Sequence, residues 1–436
     1  MYRNPAKKKI NTYLISLLFA LIPASYIAGN LVININILLF IIVNITIYKN
    51  NIFKLNKNFL DKLVMIFFSY VIFVGLFNQF YNYYFENVKE DISILLKTIA
   101  YCRFLILYFI LRFLIDKDLL NFKFFFISCS LCVLFVCFDL IFQLYFDKDI
   151  FGLEPEVRRI TGPFGDEAIA GSYLQRFSIF LFFLLPAFLN IENKKIFNLL
   201  LATSVILILF SIIIAGNRMP FLLFLLIMTM IFVFEKSVKK YVIPFFITFL
   251  IIFTISYNFN LKVKNHFQNL VSSVSLIANS AFTTDIDRKD PLWHTHYHQF
   301  YNGYKTWQQN LYFGGGIRSF KLNCSKEMEN CSSHPHNYYL EVLSDLGIFG
   351  MLLLYFIFIR TLYDAFVVKY FSKNKFSHNL ILTPFMFLLI AEVFPVKTSG
   401  SFFTTGNATF IILVMTITIA LSQKKIKLKI ISSNIN

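Results

Sequence analysis

The chain has 436 residues, of which 57% are hydrophobic and 15% charged, and its mean hydropathy is +0.64. This composition excludes a water-soluble enzyme built around one large core and indicates a polytopic membrane protein. The formal net charge of +17 would suit a nucleic-acid binder. The lysines, however, lie mainly in short loops between apolar runs, where they set topology, so no nucleic-acid partner is expected.

Twelve apolar runs are long enough to span a bilayer, near 11–29, 31–48, 60–79, 92–115, 122–145, 168–189, 197–215, 219–235, 240–257, 344–367, 377–394 and 403–422. The first carries no small-residue cleavage site and is followed at once by the second, so it reads as a retained helix rather than a signal peptide. The expected fold is an all-α membrane protein of about twelve transmembrane helices, a single polytopic domain over residues 1–436 with a large loop, 258–343, between the ninth and tenth helices. No soluble domain and no clear internal repeat are visible.

Basic residues recur in alternate loops: Arg3 and Lys7 to Lys9, then Lys49, Lys54 and Lys57, then Lys194 and Lys195, then Lys236, Lys239 and Lys240. Lys369, Lys373 and Lys375 and the tail lysines 424, 425, 427 and 429 continue the pattern. Their alternation puts both termini in the cytoplasm. The loops 146–167, 216–218, 258–343 and 395–402 then lie outside, and the long third one is expected to be functional.

Cys102, Cys129, Cys132 and Cys137 sit inside apolar runs and read as packing residues. Cys324 and Cys331 flank a short polar loop outside, a spacing that suits a disulfide in an oxidising compartment, the alternative being two unpaired thiols.

The outside loops concentrate the polar side chains. Residues 154–167 contain Arg158 and Arg159 and lead into a helix carrying Gln175 and Arg176. Gly216-Asn217-Arg218 places one arginine at a helix end, either snorkelling to lipid headgroups or clamping an anion with its fixed guanidinium fork. The third loop holds Asp285, Asp287, Arg288, Lys289 and Asp290 and then Trp293-His294-Thr295-His296-Tyr297-His298. Alternating histidines on a strand would share a face, as zinc ligands can. No second cluster with ligand spacing accompanies them, and Tyr301, Tyr304 and Trp307 favour an amphipathic interfacial helix, so no metal is expected. Gly314-Gly315-Gly316-Ile317-Arg318 suggests a tight turn where backbone can approach a ligand. His334-Pro335-His336-Asn337 sits where this loop meets the next apolar run. His336 reads as a helix-capping histidine or as a group able to move a proton near neutral pH. Gly347 and Gly350 suit close helix packing. The last loop, Pro395 to Ser401, adds small residues and Lys397.

His336-Asn337, nine residues, then Gly347-x-x-Gly350 resembles the hallmark of the bacterial O-antigen ligase/polymerase superfamily. Met351-Leu352 follows, so a polar extension of that motif is absent. Arg159 to Glu167 with Gly171-Ser172-Tyr173-Leu174, Gly216-Asn217-Arg218, the Cys324–Cys331 segment and Pro395 to Phe403 are also similar to loops of that superfamily. The resemblance covers most of the chain in topology and about 158–403 in motifs, the histidine motif being its most specific part.

The resemblance implies a GT-C-like glycosyltransferase of the bacterial inner membrane, active at the periplasmic face without metal, cofactor or nucleotide sugar. Its donor would be a glycan on undecaprenyl diphosphate, and its acceptor a lipid A-core sugar for a ligase or another lipid-linked glycan for a polymerase. His336 is the expected base, and Arg218, Arg159, Arg158 and Arg176 the expected diphosphate ligands. Asn337, Arg318 and His334 are expected to touch substrate. The histidine motif favours ligase over polymerase, and a protein O-oligosaccharyltransferase with a Ser or Thr acceptor is a further option. A flippase or transporter fits less well, because polar groups gather outside the spans rather than mid-membrane.

Overall fold

A computed structural model describes residues 5–84, 92–155, 159–189, 193–235, 242–259, 261, 264–265, 268, 272, 297–328, 330–371 and 379–433. Every regular element among them is helical. In chain order these are α1 (Pro5–Ala20), α2 (Ile22–Ile27), α3 (Asn30–Tyr48), α4 (Phe59–Tyr84), α5 (Ser93–Tyr101), α6 (Arg103–Asp116), α7 (Phe122–Phe146) and α8 (Ala170–Phe188). There follow α9 (Lys194–Ile214), α10 (Arg218–Phe234), α11 (Val242–Phe259), α12 (His298–Gln309), α13 (Phe320–Glu327), α14 (Tyr338–Phe366), α15 (Asn379–Glu392) and α16 (Thr405–Ser433). Arg158, His294, His296 and the acidic and basic residues 285–290 lie outside the described residues.

Helices are what an apolar chain must form in lipid, because each peptide group then finds its partner within the segment. Eight stretches among the described residues are long and apolar enough to cross a membrane: Ile10–Ile27, Asn30–Phe53, Phe59–Tyr81, Ser93–Asp116, Phe122–Phe146, Ala170–Phe188, Tyr338–Phe371 and Thr405–Lys424. The other four expected runs fall on shorter apolar helices, Asn198–Ile214, Arg218–Phe234, Leu250–Phe259 and Leu380–Glu392. The chain is an all-α, multi-pass membrane protein. Two of the expected spans are each built from two helices, one pair meeting at Leu21, just before Pro23, and the other at Cys102. Proline lacks the N–H that a continuous helix would use, which accounts for the first break.

The chain clusters into two compact units, each assembled from three sequence segments. The first comprises Met1–Ile47, Asp118–Val274 and Asn374–Ala391. Its core is aromatic: Phe180 packs against Phe125, Phe126 and Phe385 with ring centroids 5.1, 5.0 and 5.0 Å away. Edge-to-face and tilted contacts of this kind add to area burial.

The second unit comprises Tyr48–Lys117, Ser275–Lys373 and Glu392–Asn436. At one end, Asp61 of α4 accepts from Tyr108 (2.6 Å) and from Arg112 Nε (2.9 Å) of α6, and all three are buried. Neutralised in this way, the carboxylate avoids the penalty of an isolated buried charge.

At the other end of this unit α14 is interrupted. Gly347 has φ 65° and ψ −173°, a conformation essentially restricted to glycine. The break lets another stretch of backbone reach the helix, with Ile348 donating to the Leu311 carbonyl at 2.9 Å and Tyr70 of α4 donating to the freed Leu346 carbonyl at 2.7 Å. A Cβ on Gly347 would lie 2.2 Å from the Tyr312 oxygen. Helix packing, the sequence expectation for both glycines, describes Gly350, whose added Cβ would stand 3.0 Å from the Tyr70 ring. Gly347 instead serves a backbone crossing. Gly347→Ala should therefore destabilise the protein by about 3 kcal/mol, strain and overlap together. The check is thermal unfolding of the detergent-purified variant, where an unchanged midpoint would contradict the crossing.

Candidate functional site

In the second unit, the segment 332–337 enters α14 through an unusual backbone. His336 has φ 56°, the left-handed region that non-glycine side chains rarely occupy. Such a residue costs on the order of 1 kcal/mol or more, so neighbours must hold it. On one side its carbonyl accepts from the Ser399 N–H at 2.9 Å. On the other, Asn337 caps α14, its Oδ1 accepting from the backbone of Tyr339 (3.0 Å) and Leu340 (3.2 Å). The Asn337 Nδ2 group meanwhile donates to the carbonyls of Pro395 (2.9 Å) and Lys397 (3.3 Å). Asn337 is buried, and both ends of its amide are engaged within the protein. The expectation that it touches substrate thus meets a residue the structure uses to join two loops. Capping, one alternative for His336, is done by its neighbour.

The rings of His334 and His336 pack with centroids 4.3 Å apart and planes at 54°. Ser333 Oγ lies 2.9 Å from His334 Nδ1, while Ser332 bonds both the His334 carbonyl and, at 2.7 Å, Gln299 of α12. Helix α12 fits beneath this segment because Gly303 has no side chain, a Cβ there falling 2.7 Å from Pro335. The buried face of α12 is small and polar (Asn302, Gly303, Thr306), leaving Tyr301 and Tyr304 exposed on the expected helix. Cys324 of α13 and Cys331 form the expected disulfide, with Cα atoms 6.0 Å apart, fastening α13 to the segment before His334.

The glycine-rich turn ahead of α13 approaches a helix rather than leaving room for a ligand. Gly315 N donates to the Ser344 carbonyl (3.0 Å) and Gly316 N to the Asp345 carbonyl (2.8 Å), and a Cβ on Gly314 would sit 2.4 Å from Asp345 backbone. Asp345 then accepts from Arg318 N (2.6 Å), Ser319 Oγ (3.1 Å) and Phe320 N (3.1 Å). Arg318 is held at φ 59° with its side chain exposed, near enough for its charge to be felt at His334. Burial, with help from that charge, lowers the His334 pKa below its ordinary 6.5, a backbone contact with Ser399 acting the other way. His334, His336 and Arg318 are thus brought together in this unit.

Arg159, Arg176 and Arg218 belong to the first unit. Its loop after α7 is folded over the helix end by two buried polar side chains. Gln143 Oε1 accepts from Thr161 N (3.0 Å) and Gly162 N (2.8 Å), and Asp139 accepts from Ile150 N (2.8 Å). Asn217 positions Arg218, the first residue of α10. Its amide accepts from Gly171 N (3.0 Å) and donates to the Ala168 carbonyl (2.8 Å), clasping the start of α8. Partial burial and the like charge of Arg159 both pull the Arg218 pKa down, which puts two cations in mutual range. Two guanidinium groups in range of each other, with no ion pair to either among the described residues, suit an anion better than headgroup snorkelling does. Arg176 is half-buried on α8. The same unit contains a cavity of about 500 Å³ walled by Ala24, Ile27, Leu131, Phe135, Phe151 and Pro163, the last two from the arginine-bearing loop.

Sequence reasoning passed over Glu341 and Asp345. Both are buried, and their spacing of four places them on one face of α14. Two acids within an apolar run were the available signal.

The model of the O-antigen ligase family matches residues 203–355. The matched stretch includes Arg218, Arg318, His336, Gly347 and Gly350, and supports the O-antigen ligase/polymerase superfamily. It stops short of Arg159, Arg176 and the last loop. A comparison with curated proteins finds no match.

Since folding favours neutral His334, protonation should favour unfolding, so its contribution to stability is full above pH 6.5 and lost as pH falls towards the lowered native value. Thermal midpoints of wild type and His334→Gln should therefore diverge between about pH 7 and pH 5, the wild type falling more steeply. Parallel curves would show that His334 titrates normally.

Proposed function

We propose that the chain is an O-antigen-ligase-like glycosyltransferase, moving a glycan from undecaprenyl diphosphate to a lipid A-core sugar at the periplasmic face of a bacterial inner membrane. The observation that carries this reading is His336, held in a strained left-handed conformation beside His334 and Arg318, within the stretch matched by the ligase family model. Strain maintained by surrounding bonds at a polar junction is characteristic of a functional position.

Departure of a diphosphate needs positive charge where the negative charge develops. Arg159 and Arg218 supply it in this proposal, with Arg158 and Arg176 as further candidates. The acceptor hydroxyl becomes a competent nucleophile when its proton is removed as it attacks, and His336 takes that proton. The bond from the anomeric carbon to the diphosphate oxygen breaks, the bond to the acceptor oxygen forms, and attack opposite the leaving group inverts the anomeric centre. No step requires a metal. Arg318 and His334 would bind the sugar or its anionic substituents. The apolar cavity beside the arginine loop offers walls for isoprenoid units of the donor. The Cys324–Cys331 disulfide suits an oxidising compartment, in keeping with a periplasmic face and cytoplasmic termini.

In membranes supplied with the host's lipid-linked glycan, His336→Ala should lower transfer by about 10²–10⁴-fold and Arg218→Ala by about 10²–10³-fold, with normal insertion. Retained transfer in either variant removes that residue's role. Deleting the gene and resolving the lipopolysaccharide on a gel identifies the acceptor. Bare core with long glycan left on the carrier is expected. Core bearing a single repeat would instead mean a polymerase, and an unchanged ladder another acceptor.

A further inference from the structure

The proton-transfer role proposed for His336 makes its placement critical, and part of that placement comes from outside its own segment. Its carbonyl is held by Ser399, and Ser399 belongs to the last loop, between α15 and α16. What fixes that loop therefore helps to place the histidine.

Four attachments do so, and one is of a different kind from the rest. Asn337 holds the Pro395 and Lys397 carbonyls, and Tyr339 donates to the Val393 carbonyl. Lys397 pairs with Glu392 at 2.6 Å and lies 5.0 Å above the Tyr338 ring. These hold the first part of the loop, ahead of Ser399. The part after Ser399 is held by Glu341 of α14, whose Oε1 accepts from Ser401 Oγ (2.5 Å) and whose Oε2 accepts from Phe402 N (2.6 Å). Ser401 Oγ in turn accepts from Phe403 N at 3.3 Å. Glu341 is buried, and no ion pair to it is present among the described residues. A buried carboxyl group satisfied by two donors from one loop defines that loop's position more tightly than an exposed contact would, since releasing either donor leaves an uncompensated polar group.

We propose that Glu341 is a positioning residue for His336: by gripping Ser401 and Phe402 it sets the Ser399 N–H that holds the His336 carbonyl, and hence the imidazole. The inference rests on the catalytic reading of His336 given above, but its structural half can be tested without it. The route is short. Glu341 stands five residues beyond His336 on the helix that Asn337 caps, and the loop returns from Glu341 through Ser401 to Ser399 and His336, closing a ring of bonds around the junction.

Glu341→Gln keeps the shape but sets an NH₂ group against one of two donors. Glu341→Asp keeps the carboxyl group and shortens the reach. Gln423→Ala serves as the control: Gln423 donates to Asp364 at 3.0 Å within the same unit, away from the histidine segment, so its loss tests general weakening. Release of undecaprenyl diphosphate from the host's lipid-linked glycan gives kcat and the donor KM. Expected is a fall in kcat of about 10–100-fold for Glu341→Gln, in line with misplacement of a reacting group by about an ångström. The donor KM should stay within about twofold, Glu341→Asp should recover part of the loss, and Gln423→Ala should leave kcat within about twofold.

In parallel, ¹⁵N-histidine spectra of the full chain, with the His336 signals assigned from His336→Gln, should show those signals displaced in Glu341→Gln and not in Gln423→Ala. A fall in kcat with undisplaced His336 signals would overturn the proposal, as would displaced signals with unchanged kcat while His336→Ala is inactive. If His336→Ala is itself active, the catalytic reading fails, and the spectra alone decide whether Glu341 sets the imidazole.

Discussion

A loop folded back against apolar helices must bring partners for its own peptide groups, and that constraint organises the ends of this molecule. At the head of α14 the partners are Asn337, Glu341 and Asp345, on successive turns of one helix. The first two take the last loop, and the third takes the turn carrying Arg318. Gly347 then breaks the helix so that the 311–316 backbone can add its own bonds. Removing any one leaves buried peptide groups unpaired, which in a low-dielectric setting costs more than the lost bond itself is worth.

The same device recurs in the first unit with different residues. Gln143 and Asp139 take the peptide groups of the loop after α7, and Asn217 takes those at the start of α8. In each unit, side-chain amides and carboxylates meet the demands of the backbone. Two of the arginines sit beside that framework: Arg318 contributes its peptide N–H to Asp345, and Arg218 follows the clasping Asn217. Charged candidates are thereby placed by the polar groups beside them, as a preorganised site requires.

Much of this was legible beforehand. Apolar length revealed the helices, since a stretch without partners for its peptide groups has few other options in lipid. The polar residues gathered between spans were marked out by their rarity, and the short spacing of Cys324 and Cys331 made a disulfide one of two readings, which the structure resolves as a bond. Glu341 and Asp345 were not legible in the same way. An acid in an apolar run signals only that something must satisfy it, and the donors here come from about sixty and about twenty-five residues away. The glycine run at 314–316 misled for a related reason: small residues announce a close approach but not what approaches, which here is the α14 backbone.

The sequence by itself determined the class of the molecule, its helical segments and a short roster of candidate arginines, histidines and cysteines, because these follow from local composition and spacing. Only the tertiary structure decided what each polar residue is for. It made Asn337 a clasp, Gly347 a crossing point and Glu341 an anchor, and it put His334, His336 and Arg318 within reach of one another. The physical reason is that a polar side chain's role is set by the partner it finds, and in this chain the partners that matter come from loops distant in sequence.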